Sequence, residues 1–446
     1  MFFNSHKKIA VIGGGLAGCE VANQLANRGI DVHIFEMKPK KFSPAHKSEK
    51  LAELVCSNSL RSNELTTAVG LLKHEMEKLQ SIIIEAAKKT EVPAGKSLAV
   101  DREKFSEYIT QKLLAHPKVN IIRDEITSLQ DPRLTKYDII VISAGPLISP
   151  PLAKELINKI GQKELYFYDA IAPIVSAESI DWDKVFWGCR YKEDEKDYVN
   201  CPMTEEEYFR FREELIKAEK VKPKDFEKEI HFEGCLPIET MAERGELTLV
   251  YGPMKPVGLL DPKTGKRPFA VVQLRAENRE KTMFNIVGFQ TKLTYPEQKR
   301  IFRMIPGLER AEFLRYGSIH RNTYVNGPKV LTPYLELKRL KNVYLAGQIT
   351  GVEGYVESAA CGLFLGIYLG FKMYGKEIPL PPKECALGGL LSHLREDKKD
   401  FQPMNINFGL MTPLNIKAKK AKRRELLVKR AIEYFDNWLE ECILKY

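Results

Sequence analysis

The chain of 446 residues is 44% hydrophobic, so it can bury a large core, and its length predicts two domains. Its 69 lysines and arginines exceed its 59 acidic residues, and the formal charge of +10 suits a polyanionic partner without requiring one. The amino terminus lacks the apolar core of a signal peptide, and the longest apolar run, residues 361–371, is too short to cross a membrane. The eight cysteines show no Cys-x-x-Cys spacing and no clustered histidines, so we predict no metal site, reduced thiols and a cytoplasmic location.

The first distinctive segment joins a buried strand at residues 9–12, a Gly-x-Gly-x-x-Gly turn, a helix and a second strand that ends at an acid. In such a turn the first glycine allows a tight bend, the second lets a pyrophosphate approach the backbone, and the third lets the helix pack on the strand. The acid, 21 residues after the second glycine, is placed to hold ribose hydroxyls. A plain glycine-rich turn would not explain that acid, so we predict dinucleotide binding. The predicted cofactor-binding residues are Gly13, Gly14, Gly15, Leu16, Ala17, Gly18 and Glu36.

The next elements are a helix at residues 103–114 and a strand at 137–142 that ends in Ala-Gly. Beyond them the sequence pattern changes to short apolar runs, typical of strands, that are separated by Pro/Gly turns. This pattern predicts an inserted α+β domain over residues 166–319. Within it we predict a charged helix and three strands. Their ranges are 204–220 for the helix and 247–251, 270–274 and 284–288 for the strands.

The sequence pattern then returns to that of an α/β protein, with a strand signal over residues 340–348, the glycines Gly347 and Gly354, and an apolar helix over 355–368. A late strand ending in Ala-Gly before a small-residue helix is typical of FAD-binding folds, in which the helix N-terminus faces the cofactor. Two such motifs, one at each end of the chain, favour FAD over NAD and add both glycines to the predicted cofactor-binding residues. We therefore predict an α/β fold with a Rossmann-like FAD-binding domain formed by residues 1–165 and 320–446.

The second part of that domain ends in a basic and then amphipathic helix over residues 416–446. Six of the eight residues from Lys417 to Arg424 are basic, which suits contact with phosphates and a solvated helix face equally well. A second basic set lies among aromatic residues, and this mixture suits either a grip on a single-stranded base or ordinary half-buried strands. The set is Arg275, Lys281, Lys292, Arg321 and Lys329, among Phe284, Phe289, Tyr295 and Tyr324. For His320 we favour a structural role with a hydrogen bond over a role as a ligand.

Two cysteines have unusual settings. Cys56 follows an expected apolar strand at the point where small polar residues begin. Cys235 lies just before Pro237, which we expect to open a short helix ending near Gly245, and a helix N-terminus favours the thiolate. For each the alternative is a small buried hydrophobe. We expect the remaining cysteines that lie in helices, Cys19, Cys361 and Cys442, to be inert, and the sequence leaves Cys189 and Cys201 open.

Taken together, these segments resemble the folate- and FAD-dependent tRNA (uracil-5-)-methyltransferases, the TrmFO family. The strings that carry the resemblance are residues 13–18, 54–61, 232–239, 252–258, 287–291, 320–324, 346–355 and 401–405. Only the first is generic. The related GidA-type tRNA-modifying flavoproteins share that first motif and carry a further C-terminal extension. Departures from the family pattern are small: Ala276 stands where many relatives have glutamine, and Cys361 replaces a small residue.

The resemblance implies a reaction. The methylene group of 5,10-methylenetetrahydrofolate passes to C5 of a uridine in the T loop of tRNA and is reduced to methyl by reduced FAD, which NAD(P)H regenerates. The resemblance also implies that Cys235 attacks uracil C6, that Cys56 removes the C5 proton, and that the substrate binds between the two domains. The same chemistry on large-subunit ribosomal RNA, a small-molecule FAD oxidoreductase and a non-catalytic RNA-binding flavoprotein are the alternatives. The oligomeric state is left open.

Overall fold

The computed structural model describes residues 8–161, 165–190, 195–221, 236–397, 401–415 and 419–444. Its strands are β1 (Lys8–Ile12), β2 (Asp31–Phe35), β3 (Ser59–Ser62), β4 (Glu91–Val92), β5 (Ser97–Val100), β6 (Val119–Ile122), β7 (Ile139–Ile142), β8 (Leu165–Ile171), β9 (Ile174–Ser176), β10 (Phe186–Gly188), β11 (Tyr198–Met203), β12 (Ala270–Ala276), β13 (Met283–Ile286), β14 (Phe313–Arg315), β15 (Ser318–Tyr324) and β16 (Val343–Leu345). Its α-helices are α1 (Leu16–Ala26), α2 (Ala68–Lys78), α3 (Ile82–Lys89), α4 (Arg102–Leu114), α5 (Pro150–Ile160), α6 (Glu205–Lys217), α7 (Ile238–Glu243), α8 (Thr248–Tyr251), α9 (Tyr295–Phe302), α10 (Gly327–Val330), α11 (Tyr355–Met373), α12 (Ala386–His393) and α13 (Lys420–Leu439).

A five-stranded parallel sheet in the order β16-β7-β1-β2-β6 forms the centre of the first layer. Its middle strand β1 is buried from Ile9 to Ile12, as expected for a parallel strand covered on both faces. The predicted strands at both ends of the chain, β1 and β16, both pair in this sheet, with β7 between them. The Rossmann-like α/β class is confirmed.

Helices α1 and α11 pack closely on each other and bring the two ends of the chain together. Small residues on α11 make this approach possible: a Cβ at Gly366 would lie 2.9 Å from the Val21 Cα, and one at Gly362 would lie 2.7 Å from the Ala17 Cα. Helix α11 is apolar enough to span a membrane by composition, with a mean hydropathy of 1.3, but 89% of that stretch is buried inside the protein. It is therefore the core helix that holds the two cofactor motifs side by side.

A second, antiparallel sheet has the order β10-β11-β12-β13-β9-β14 and encloses its own aromatic core. The predicted strands at 270–274 and 284–288 correspond to β12 and β13, and the predicted charged helix is α6, which a capping box of Thr204 and Glu207 opens. The prediction of a strand at 247–251 is wrong. This segment is the short helix α8, because Leu249 is its only fully buried residue and its backbone turns between two glycines, Gly245 and Gly252.

The chain enters and leaves this second sheet through an antiparallel pair, β8 and β15, in which Leu165 pairs with Tyr324 and Ile171 with Ser318. The predicted domain boundaries at 165/166 and 319/320 fall within this ribbon. At the carboxyl end of the chain, α13 packs its apolar face on α2, and Lys78 forms an ion pair with Asp436 at 2.5 Å. The basic first turns of α13, residues 421–425, are exposed.

Candidate functional site: a cofactor cleft beside Cys56

A cleft with an empty volume of about 1100 Å³ opens at the carboxyl ends of the parallel strands, where open α/β sheets bind their ligands. Seven of the nine predicted cofactor-binding residues line it: Gly13, Gly14, Gly15, Leu16, Ala17, Glu36 and Gly347. The other two do not. Gly18 lies behind the turn, where a side chain would overlap the Gly13 carbonyl oxygen, and Gly354 precedes α11, where a Cβ would lie 2.9 Å from the Asn405 Nδ2.

The glycine turn leaves backbone open toward the cleft. Gly13 has a φ of +103°, and a Cβ there would lie 2.6 Å from the Ala144 Cα, so this position requires glycine. Gly15 is different: its φ of −77° is ordinary, and a Cβ would meet no atom closer than the Ser143 carbonyl oxygen at 4.0 Å. No side chain of the described residues caps α1, which begins at the next residue. This exposed helix N-terminus fits a diphosphate, as dinucleotide cofactors require.

Glu36 is held in place at the end of β2. One carboxylate oxygen accepts the Gly14 N–H at 2.9 Å, and the other accepts the Lys38 N–H at 3.0 Å. Its side chain therefore links the turn to the second strand while lining the cleft, a position that fits contact with ribose hydroxyls. Sequence reasoning missed Lys38, whose ammonium group lies 2.6 Å from the Lys50 carbonyl oxygen and 3.4 Å from Glu53 inside the cleft wall. The available signal was a lysine two residues after the acid that follows β2.

Cys56 is fastened to the wall of this cleft by Tyr355, the first residue of α11. The Tyr355 hydroxyl oxygen accepts the Cys56 N–H at 2.6 Å and the Ser57 N–H at 3.2 Å, and its side chain lines the cleft. The Cys56 Sγ lies 3.9 Å from the Ala170 carbonyl oxygen of β8. The expected apolar strand before Cys56 is wrong: residues 54–57 form an irregular segment, because backbone groups of Leu54, Cys56 and Ser57 bond to the side chains of Arg102 and Tyr355.

The second sheet also holds the Cys56 segment. Arg275, at the end of β12, donates to Asn58 Oδ1 at 2.9 Å and to Ser57 Oγ at 2.7 Å. Two residues further, Glu277 pairs with Arg102 at 2.9 Å, and Arg102 in turn donates to the Leu54 carbonyl oxygen. Arg275 is only 6% exposed, so it is a buried anchor and not a surface grip on a base.

Acidic and buried surroundings keep the groups near Cys56 protonated. Burial raises the pKa of the Cys56 thiol, and Asp169 raises it further, against the opposing charges of Arg102 and Arg315. Burial likewise raises the pKa of Tyr355 and, together with Asp169 and Glu357, raises the pKa of Glu353 well above its usual range. Cys56 in this arrangement is a thiol at neutral pH, and its thiolate would be a strong base.

Cys235 lies outside the described residues, and the chain resumes at Leu236. The following helix α7 begins as predicted, with Pro237 directly before it. It is held tightly: Ile238 N–H donates to the Gln290 carbonyl oxygen at 2.7 Å, and the Glu239 carboxylate accepts Thr291 Oγ1 at 2.9 Å and Lys292 N–H at 2.7 Å. Residues 290–292 thus fix the start of α7, three positions after Cys235 in the sequence.

The remaining candidates are structural. Cys19 and Cys361 are buried in helices as expected, and Cys201, on β11, is fully buried in the second core. His320 Nε2 lies 2.9 Å from Ser318 Oγ, which confirms the expected hydrogen bond, and burial lowers its pKa to about 4. The described residues contain no group of three or more potential metal ligands.

Comparison with known proteins agrees with this geometry. Residues 8–377 match the family model described as glucose inhibited division protein A. The chain is 61% identical over 429 residues, 96% of both chains, to the methylenetetrahydrofolate–tRNA-(uracil-5-)-methyltransferase TrmFO of Oleidesulfovibrio alaskensis. It is 57% identical to the TrmFO of Aquifex aeolicus, covering 98% of this chain and 97% of that one. The solved GidA of Aquifex aeolicus (form II crystal) has the same fold, with a TM-score of 0.68 at 16% identity over 98% of this chain and 74% of that chain.

The fold and the cleft therefore define a dinucleotide-binding protein of the GidA family, to which the chain belongs. Within that family its sequence is that of a TrmFO protein, so the resemblance stated from the sequence strings is confirmed.

Proposed function

We propose that this protein methylates C5 of a uridine in the T loop of tRNA, using 5,10-methylenetetrahydrofolate as carbon donor. The observation that carries the proposal is the fastening of Cys56 to Tyr355 at the wall of the cofactor cleft, in a chain 61% identical to a TrmFO protein. FAD bound in the cleft would supply the hydride that reduces the transferred methylene group, with NAD(P)H as the source of electrons. The chain's own residues bind the cofactor, orient the reacting groups and move protons.

The glycine turn, the start of α1 and the end of β16 would bind the cofactor. The backbone of Gly14, Gly15 and Leu16 at the start of α1 would receive the diphosphate, and Glu36 would accept from ribose hydroxyls. Gly347, with a φ of +83°, lets the β16 end turn along the opposite wall of the cleft. Gly18 and Gly354 shape these walls without facing the cleft.

The nucleotide chemistry requires a nucleophile and a base. Uracil C5 is a poor nucleophile until a thiolate adds at C6, so Cys235 forms the S–C6 bond, and the electron pair this releases lets C5 bond to the methylene carbon. Cys56, as its thiolate, then takes the C5 proton, and the electron pair of the C5–H bond forms an exocyclic C5=CH2 double bond as the C–N bond to folate breaks. Once a hydride has reduced that carbon, the Cys235 sulfur leaves C6 and the ring is restored. Burial raises the pKa of the Cys56 thiol, so this step requires its thiolate, which the nearby charges of Arg102 and Arg315 favour.

The experiment that tests this assignment compares Cys235→Ala with Cys442→Ala. Cys442 is a half-buried cysteine near the end of the chain and serves as the matched control. Loss of both methyl transfer and the covalent adduct with 5-fluorouridine RNA is expected for Cys235→Ala alone. A fully active Cys235→Ala enzyme would refute the role, and turnover without RNA or folate would favour a small-molecule oxidoreductase instead.

The domain division and the target molecule belong to the same proposal. We assign residues 1–165 and 320–446 to the FAD-binding domain and 166–319 to the insertion; the two separate sheets and the β8–β15 ribbon support this. RNA would bind between them, near the point where Ser57 and Asn58 contact Arg275 of β12. A cytoplasmic location is supported by the names of the TrmFO relatives, which give tRNA as the substrate. Mass spectrometry of nucleosides from tRNA and large-subunit ribosomal RNA of cells lacking the gene would identify the target molecule.

A further inference from the structure

The segment of residues 251–267 stands out because it is anchored within the second sheet yet exposes apolar and basic side chains. We call it the basic loop. Its anchor is Met254, fully buried, whose carbonyl oxygen accepts the Val271 N–H at 2.9 Å. On either side of that anchor, Tyr251 is 81% exposed and Leu260 is 67% exposed, two of the most exposed large apolar side chains of the described residues.

The outer part of the basic loop is a compact turn with a strong positive charge. Asp261 N–H donates to the Lys266 carbonyl oxygen at 3.0 Å, and the Asp261 carboxylate accepts the Lys263 N–H at 2.9 Å and the Thr264 hydroxyl at 3.2 Å. The Asp261 carboxylate is therefore hydrogen-bonded within the turn itself. The exposed cations of the turn are Lys263, Lys266 and Arg267.

The base of the basic loop adjoins the residues that hold the start of α7. Pro253 packs against Gly288, where a Cβ would lie 2.6 Å from the Pro253 Cβ. Two residues further, the Gln290 carbonyl oxygen accepts the Ile238 N–H at 2.7 Å. Residues 288–290 thus connect the basic loop to the start of α7, which follows Cys235 in the sequence by three positions.

We propose that the basic loop docks the RNA substrate, with its cations on the phosphate backbone and Tyr251 as a stacking surface for an unpaired base. This inference rests on the proposed function and adds the place where the RNA is held. Exposed cations and an exposed aromatic ring on one loop are the combination that single-stranded nucleic acid requires, because phosphates need charge and splayed bases need a flat apolar partner. A rigid turn presents these groups without a further ordering cost.

The test measures binding of a tRNA transcript by the FAD-loaded enzyme as a function of salt. Lys263→Ala/Lys266→Ala is compared with Lys136→Ala/Lys341→Ala, which removes two cations near the amino ends of β7 and β16, away from the cleft. Two lost phosphate contacts should raise Kd roughly twenty-five-fold at about 0.1 M salt and lower the salt slope by about 1.4. The control pair should bind as the wild type does, and NAD(P)H-driven flavin reduction should be unchanged in both.

Tyr251→Phe and Tyr251→Ala test the stacking role, since phenylalanine keeps the ring. We expect the alanine variant alone to weaken RNA binding, by about fivefold or more. Wild-type affinity of the Lys263→Ala/Lys266→Ala variant would overturn the proposal, as would a fall in its molecular mass by light scattering at unchanged RNA affinity, which would mark the loop as a contact between copies of the chain. If the wild type binds RNA through the loop but transfers no methyl group, the proposed function fails and the docking assignment stands.

Discussion

The Tyr355 hydroxyl oxygen lies 2.6 Å from the Cys56 backbone nitrogen, across 299 positions of sequence. This bond joins the irregular segment that carries a predicted catalytic thiol to the first turn of the core helix α11. Because Tyr355 also lines the cofactor cleft, the same side chain fixes the Cys56 segment to the wall of that cleft.

Tyr355→Phe tests this connection. The substitution leaves the Cys56 and Ser57 N–H groups without their acceptor, and we expect it to lower the free energy of unfolding by about 1–3 kcal/mol. It should reduce methyl transfer more than NAD(P)H-driven flavin reduction, because only the former uses Cys56. Both rates and urea unfolding are measured, with Tyr434→Phe, a 44% exposed tyrosine, as control. Equal effects on both rates would contradict a positioning role.

Alanine substitutions at two glycines of the turn should have different effects, one on flavin affinity and the other on stability. Gly15→Ala is compatible with the fold, since its Cβ has no neighbour within 4.0 Å, but it places a methyl group where the diphosphate must approach. Flavin affinity should fall by at least about tenfold at unchanged unfolding of the flavin-free protein. Gly18→Ala forces its Cβ onto the Gly13 carbonyl oxygen, so it should destabilise the fold by about 1–3 kcal/mol. Fluorescence titration with FAD measures the affinity, and urea unfolding measures the stability. A loss of stability in Gly15→Ala together with a loss of flavin affinity alone in Gly18→Ala would contradict the roles given to these glycines.

Arg275→Lys tests the anchor between β12 and the Cys56 segment. A lysine cannot replace both hydrogen bonds to Asn58 and Ser57, so we expect a loss of about 2 kcal/mol in stability and a larger loss in methyl transfer than in flavin reduction. Arg279→Lys, on an exposed arginine that donates to a backbone oxygen, is the control. Combination with Asn58→Ala should cost clearly less than the sum of the single changes. Strict additivity would show that the two side chains act independently.

Glu20 predicts a pH dependence of stability. Burial raises its pKa to about 8, and its second carboxylate oxygen has no partner among the described residues, as suits a protonated acid. Between pH 4.5, the usual pKa of a glutamate side chain, and about 8 the unfolded chain releases this proton and the folded chain keeps it. The free energy of unfolding should therefore fall as pH rises through this window, with a contribution of about 1.4 kcal/mol per pH unit from this group.

Glu20→Gln should remove that contribution, because glutamine does not ionise. Urea unfolding at pH 5, 6 and 7 gives the slope for the wild type, for Glu20→Gln and for Glu425→Gln, an exposed control. An unchanged slope in Glu20→Gln would show that the carboxyl is ionised in the folded protein.

The sequence by itself determined the cofactor turn and its neighbours. The strand, the glycines and Glu36 lie within one local β-α-β unit, so spacing alone predicts their geometry, and seven of the nine predicted residues line the cleft. Local signals also predicted α4, α6 and the start of α7, through capping residues and proline. The same local reasoning was wrong at 247–251, where apolar residues form a helical turn, and before Cys56, where backbone groups bond to side chains.

Only the tertiary structure decided how Cys56 is held. Its partners come from positions far along the chain: Tyr355 from α11, and Arg275, 217 positions from Asn58, from the second sheet. No periodicity or spacing reports such pairings, because they arise when the packing of α1 on α11 and of β12 on residues 54–58 places distant segments together. The buried role of Arg275 follows for the same reason: its charge is visible in the sequence, but its burial is a property of the assembled fold.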